Sequence, residues 1–189
     1  MVQIEGMNRA LEDFDVFKDL DEDTRVLISG CAKNMVFQAG DYIYREGQKA
    51  DAFYLIRHGV TSLEVHVPAR DPLVIETMGD GEIIGWSWLV PPYRTRFDVR
   101  AVSLVRAVSI DAVCLRAKCE KDHSVGYEFY KAFLPVVSDR LSATRLQLID
   151  MYGHPKDYEA RKKAKASPPA KPAPAKKAGK KAAAKKKGK

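Results

Sequence analysis

The stretch GEIIGWSWLVPPYRTRFDVRA, residues 81–101, combines residue types that bind anions and flat apolar ligands. Gly81 and Gly85 flank a turn. Glycine there lets backbone N–H groups approach a phosphate closely. Arg94, Arg96 and Arg100 follow in a strand-like run, and a guanidinium pairs with phosphate through two parallel hydrogen bonds. Trp86, Ser87 and Trp88 sit in the turn itself, and Pro91-Pro92 stiffen the loop after it. The two-residue period of a strand places Thr95, Phe97, Val99 and Ala101 on one face and Arg94, Arg96, Asp98 and Arg100 on the other. With Val99 and Ala101 pointing inward, Phe97 is expected inside and the arginines outside. A one-residue bulge at the strand entrance would instead turn Arg96 inward.

Other chemistry finds little support. His58, His66, His123 and His154 are scattered, with no His-x-His pair for a metal. No motif assembles a nucleophile with a base and its orienting acid, so the chain is not expected to be an enzyme. Cys31, Cys114 and Cys119 make a poor disulfide set and are expected to be small buried thiols in a reducing compartment. No apolar run approaches a membrane span, and the N-terminus lacks the basic start and apolar centre of a signal peptide. A cytoplasmic protein without a membrane span is expected.

The elements that must position residues 81–101 are readable from periodicity. Leu11, Phe14, Phe17 and Leu20 recur every three residues and suggest a short amphipathic helix. Residues 21–34 read as a second helix, capped by Asp21, with Val26, Leu27, Cys31 and Met35 near one face. The period then becomes two. DYIYREG, AFYLIRHG, TSLEVHVP, PLVIETMGDG, DVRAVS and VRAVSID are short β-rich runs separated by Gly40, Gly47, Gly59, Gly79 and Gly81. Many short strands at this spacing indicate a sandwich, jelly roll or barrel. From about Asp122 the helical period returns. Leu134, Val137, Leu141, Thr144, Leu148 and Met151 form an unbroken a/d seam, narrower than a core-facing stripe. A parallel homodimer is the expected use of that seam. Pro135 is expected to kink the helix or mark its first turn.

These elements and marks together resemble the cyclic-nucleotide-binding domain family, the sensor module of catabolite-activator-type regulators and kinase regulatory subunits. The resemblance runs from about Phe14 to Met151 and rests on the Gly40-Asp41 corner, Glu46-Gly47, the AFYLIRHG strand and Gly59. It implies a mainly β, eight-stranded jelly roll with N-terminal helices and a long C-terminal dimerisation helix. The implied boundaries are a lead-in over 1–35, the jelly roll over 36–121, the long helix over 122–153 and a tail over 154–189. It also implies a ligand, cyclic AMP or cyclic GMP, held at a short helical turn between strands. Anchored on Gly85 and on Val99-Arg100-Ala101, the family's glutamate position falls on Trp86 and its arginine position on Thr95, flanked by Arg94 and Arg96. The small residue that leaves room for the nucleotide falls on Phe97. Indole only donates, so Trp86 cannot replace a carboxylate acceptor. Weakened nucleotide binding, a more apolar ligand against Trp86, Trp88 and Phe97, and a pocket filled by its own aromatics all remain open. Thr144 falls where the family's threonine reaches a purine amine from the dimer seam.

Charge divides the chain. From Arg161 onward there are 13 Lys/Arg and no Asp/Glu, whereas residues 1–160 hold 19 basic and 25 acidic side chains. The low-complexity Lys/Ala/Pro tail has no aliphatic or aromatic anchor and is expected to be disordered. It includes Lys176, Lys177, Lys180, Lys181, Lys185, Lys186 and Lys187. Such a segment binds nucleic acid without reading sequence, by releasing counterions. No recognition helix can be drawn in it, so a conventional sequence-specific transcription factor is not expected. Two functions follow: a stand-alone sensor acting on a protein effector through the long helix, or a dimeric nucleoid-type adaptor binding nucleic acid through its tail.

Overall fold

A computed structural model describes residues 2–152 of the 189. The chain begins with α1 (Val2–Glu12), α2 (Asp15–Lys18) and α3 (Glu22–Ser29). Leu11, Phe14, Phe17 and Leu20 are all buried, as their spacing suggests, but two helices and a turn share them. Asp21 caps α3, its carboxylate accepting from the Thr24 N–H at 2.8 Å. Beyond Ser29 the expected helix gives way to strand β1 (Ala32–Phe37), which pairs with the last strand along its whole length. That ladder outweighs the helical spacing of Cys31 and Met35. The buried side of α3 is Thr24, Ile28 and Ser29, whereas Val26 is exposed. The lead-in therefore ends before residue 32 rather than at 35.

The remaining strands are β2 (Tyr42–Tyr44), β3 (Ala52–His58), β4 (Thr61–Val65), β5 (Leu73–Met78), β6 (Ile83–Ile84), β7 (Asp98–Ala101) and β8 (Val105–Asp111). They form two antiparallel four-stranded sheets, in the orders β1-β8-β3-β6 and β2-β7-β4-β5. Alternation along each strand sends Ile43, Ile56, Met78, Ile84, Val99, Ala101, Val105 and Ala107 into a common interior. The six sequence runs each contain a strand. β1 and β6 are additional, one concealed in the misread helix and one only two residues long. Gly59 (φ 105°) holds a corner that no other residue fits, because a Cβ there would overlap the Leu104 carbonyl.

The other faces of β3 and β8 carry the helices. Phe53, Leu55, Val108 and Ile110 meet Leu11, Phe17, Leu115, Phe129 and Phe133 in a second apolar cluster. Leu115 belongs to α4 (Ala112–Lys121), a helix not expected within the 36–121 segment. Asp111 caps it, accepting from the Cys114 N–H at 2.8 Å. The long helix α5 (His123–Tyr152) runs without interruption through Pro135, which lies well past its first turn. The chain divides into two units, residues 1–143 and 144–189. In the second, residues 144–150 are helical and exposed. The expected tail, 154–189, lies outside the described residues.

The expectation of three free thiols is corrected. Cys31 and Cys114 form a disulfide that links the start of β1 to α4, and Cys119 is the buried free thiol. The two cysteines are 83 positions apart, and only the β1–β8 pairing and the α4 cap bring them together. The argument from free thiols to a reducing compartment therefore has no support in the structure.

Candidate functional site

The turn that opens the candidate site is built on Gly85. Its φ of 85° and ψ of 42° are left-handed, and a Cβ there would meet the Tyr44 ring at 3.3 Å. Glycine is the residue type that adopts this conformation without cost. A single 3₁₀ turn, Trp86–Leu89, follows. Trp88 anchors it. Its ring is fully buried, stacks on Phe53 at 5.0 Å and lies against Phe129 and Phe133 of α5. Arg116 of α4 holds the turn from the other side. It donates to the Trp88 carbonyl at 3.1 Å and places its guanidinium 4.4 Å from the Tyr93 ring centroid. Trp86 and Ser87 are left facing outward, exposed and half-buried respectively. The Pro91-Pro92 peptide is cis, and Lys49 bridges to Arg94 just beyond it.

The following segment departs from strict alternation. Thr95 is 6 % exposed, and its hydroxyl donates to the Arg45 and Gln48 carbonyls. Its backbone also pairs with Gly47 and Gln48, each at 2.9 Å. The position where an arginine was sought thus pins the 45–48 loop. Arg94 donates to the Gly47 carbonyl at 2.6 Å. Arg96 is exposed and makes no hydrogen bond or ion pair within the described residues. Phe97 is 38 % exposed, which corrects the expectation that it follows Val99 and Ala101 inward. The cause is local: β7 begins only at Asp98, so residues 95–97 are not in the pleat that fixes Val99 and Ala101. Asp98 is itself buried, accepting from the Glu46 N–H at 2.7 Å. Neither Arg96 nor Phe97 enters the barrel.

Aromatic side chains from elsewhere in the sequence pack against the barrel interior. Tyr44 and Tyr54 stack at 6.4 Å, and Phe37 meets Tyr54 edge-on at 5.9 Å. Burial pushes the Tyr44 hydroxyl well above the usual tyrosine range, opposed in part by the Arg140 charge. Arg140 projects from α5 to Glu76, Met78 and Ile83. These residues carried no motif. The tyrosines read as strand formers and Arg140 as a polar flank of the seam. Outside the barrel, a groove of about 880 Å³ separates the turn from α5 and is lined by Trp86, Leu89, Val90, Tyr127, Tyr130 and Leu134, among others. Trp86 therefore borders an apolar groove. Trp88 is core, and Phe97 does not line the groove.

On the outer face of the second sheet, Glu64 is fully buried. Its Oε1 accepts from Ser62 at 2.6 Å and from Arg100 at 2.8 and 3.0 Å, whereas Oε2 has no partner within the described residues. Arg100 is therefore committed to Glu64. Among the described residues no group of three His, Cys, Asp or Glu is placed to hold a metal. No described helix is long and apolar enough to cross a membrane. Thr144 is exposed on α5, in the second unit.

Residues 34–122 match the sequence model of the cyclic nucleotide-binding domain. A Drosophila melanogaster cGMP-dependent protein kinase is 33% identical over 76 residues, which is 40% of this chain and 8% of the kinase. The chain thus spans a small part of the curated relatives it matches. A crystal structure from Geobacter metallireducens GS-15, assigned as a cyclic nucleotide-binding protein, superposes with a TM-score of 0.63 at 25% identity. It covers 71% of this chain and 97% of that one. The regulatory subunit of a cAMP-independent protein kinase A from Trypanosoma cruzi, bound to guanosine, shares the fold at TM-score 0.54 and 21% identity. That match covers 71% of this chain and 51% of that one. Over residues 34–122 the chain is similar in sequence to the cyclic nucleotide-binding domain, and its fold is shared with solved structures of such domains.

Proposed function

We propose that the chain is a ligand-sensing regulatory module whose recognition of cyclic nucleotides is altered and weakened. The observation that carries this reading is the fate of the two side-chain readers. Trp86 offers only a donor, and Thr95 is tied into the 45–48 loop. Each lost charge-assisted contact is worth on the order of 1.5–3 kcal/mol. Losing both weakens binding by roughly a hundredfold to many-thousandfold. Gly85, Ser87 and the turn remain to meet a ligand, and Arg96 is the nearby arginine with no hydrogen-bond or ion-pair partner to release among the described residues. Arg94 would first have to leave the Gly47 carbonyl. The Trypanosoma cruzi neighbour is bound to guanosine, which carries no phosphate, so a nucleoside belongs among the ligands tried.

The module signals as a homodimer through α5, by way of Leu134, Val137, Leu141, Thr144, Leu148 and Met151, to a protein effector. The heptad spacing and the exposure of Leu134 (67 %) and Leu141 support that use. Thr144 would reach a bound purine across the dimer. Calorimetric titration with cyclic AMP, cyclic GMP and guanosine tests the reading. Heat that Arg96→Ala abolishes for a cyclic nucleotide, and that Thr144→Ala reduces without changing the dimer, is the expected result. Silence with all three ligands rejects the nucleotide reading.

The 13 basic residues from Arg161 onward, with no acid among them, favour a second reading. In it the domain is a dimeric scaffold, and Lys176, Lys177, Lys180, Lys181, Lys185, Lys186 and Lys187 bind nucleic acid without sequence preference. DNA affinity measured over a salt series should fall steeply for the full chain and be absent from a chain ending at Gly153. Equal affinities reject it.

A further inference from the structure

Cys31 and Cys114 are held together by more than their sulfur bond. Asp111 spans both backbones. Its N–H donates to the Cys31 carbonyl at 2.9 Å, and its carboxylate accepts from the Cys114 N–H at 2.8 Å. One turn further along α4, Leu115 is fully buried in the core. Lys118, four positions after Cys114, donates its ammonium to the Leu27 carbonyl near the end of α3. Its Nζ also lies 3.1 Å from where a Cβ on Gly30 would stand, at the residue before Cys31. The cation therefore sits one helical turn from Cys114 and beside the approach to Cys31. The two cysteines differ in exposure. Cys31 is buried, at 8 %, whereas Cys114 is half-buried in the first turn of α4.

We propose that Cys31–Cys114 is a thiol–disulfide exchange site, opened in the folded chain by a dithiol reductant that attacks Cys114. The reductant's first thiolate bonds to the Cys114 sulfur, the Cys31–Cys114 bond breaks, and its electron pair leaves on Cys31. The second thiol of the reductant then displaces Cys114 and closes the reductant's own disulfide. The reductant loses two electrons, the protein pair gains them, and the two thiol protons end on Cys31 and Cys114. Exchange is faster when the departing sulfur is a stabilised thiolate, and a neighbouring ammonium supplies that stabilisation. Lys118 is placed to do so. Asp111 opposes it in part, with its carboxylate at the Cys114 N–H. Asp111, Leu115 and Lys118 keep the open pair in register, so a small disulfide oxidant closes it again. Once open, the pair no longer ties α4 to β1 covalently. Arg116, between Cys114 and Lys118, donates to the Trp88 carbonyl, so the loosened helix is the one that braces the candidate turn. The exchange site is independent of which ligand that turn takes.

The test uses the full-length oxidised chain without denaturant, with dithiothreitol as the reductant. Samples are quenched in acid, alkylated and counted by mass. The pair is expected to open about tenfold or more faster than the chain unfolds globally, the latter rate being extrapolated to water from denaturant jumps. Lys118→Met is expected to slow opening by about threefold to tenfold, and Lys118→Arg to restore it, with the circular dichroism of all three chains alike. With glutathione, a monothiol, the trapped mixed disulfide is expected on Cys114. On reduction the amides of 112–121 should exchange faster with solvent, while those of β3 and β8 keep their protection. Opening no faster than global unfolding makes the bond a structural one and overturns the proposal. An unchanged rate in Lys118→Met, or an adduct on Cys31, also overturns it. The comparison of opening with unfolding needs no substitution, so it decides even if Lys118→Met does not fold.

Discussion

Thr95 shows how a residue sought for ligand chemistry can be committed to architecture, and Asp98 beside it serves the same loop. Thr95 satisfies two carbonyls of the 45–48 loop, and Asp98 satisfies the Glu46 N–H in the same loop. Thr95→Val keeps the shape and removes the hydroxyl donor, so the Arg45 carbonyl loses that partner while the Gln48 carbonyl keeps the Thr95 N–H. Stability is expected to fall by about 1–3 kcal/mol in urea unfolding. Nucleotide titrations should be unaffected, and a changed titration would return Thr95 to the site. Gly85 makes a complementary case. Gly85→Ala forces a left-handed conformation on a residue with a Cβ and presses that Cβ on Tyr44. A loss of about 1–2 kcal/mol from the backbone alone is expected by the same measurement.

At the scale of elements, two of the contacts that fasten the helices to the sheets are a ring and a disulfide. Trp88 is the first, stacked between β3 and α5. Trp88→Ala removes a fully buried ring and is expected to cost about 3–5 kcal/mol, read from the denaturant midpoint. The Cys31–Cys114 disulfide is the second. Without reductant, the chain unfolded in guanidinium should titrate one thiol, and with reductant three. The folded chain should titrate none rapidly, because burial pushes the Cys119 thiol up and hides it. Closing a loop of this size contributes about 2–4 kcal/mol, so reduction should lower the unfolding midpoint measurably. Three thiols without reductant would remove the clasp from the account.

At the scale of the whole molecule, the proposed assembly and signal both run through α5. Leu134 and Leu141 are large and exposed, which is where a second copy would bury them. Each such side chain contributes roughly 1.5–3 kcal/mol when fully covered. The double substitution Leu134→Glu with Leu141→Glu should convert a dimer to a monomer in sedimentation equilibrium while leaving the circular dichroism of the barrel intact. A monomeric wild-type chain at micromolar concentration would end the dimer proposal. If the tail binds nucleic acid as proposed, its contribution should vanish at high salt, whereas that of α5 should not.

The sequence by itself determined the local periods and the corners. Alternation in AFYLIRHG and VRAVSID and the threefold spacing from Leu11 to Leu20 each follow from which side chains must face away from water. Gly59 and Gly85 follow from backbone sterics. Tertiary structure alone decided the rest. Residues 32–37 became strand because β8 offered a ladder. Cys31 met Cys114 because that ladder and α4 closed 83 positions of chain. Phe97 turned outward because the pleat begins one residue later. Arg140 reached Glu76 because a helix from the far end of the domain lies over the barrel. Period is a property of neighbours along the chain, whereas contact between distant residues depends on how the sheets close, and no local pattern encodes that.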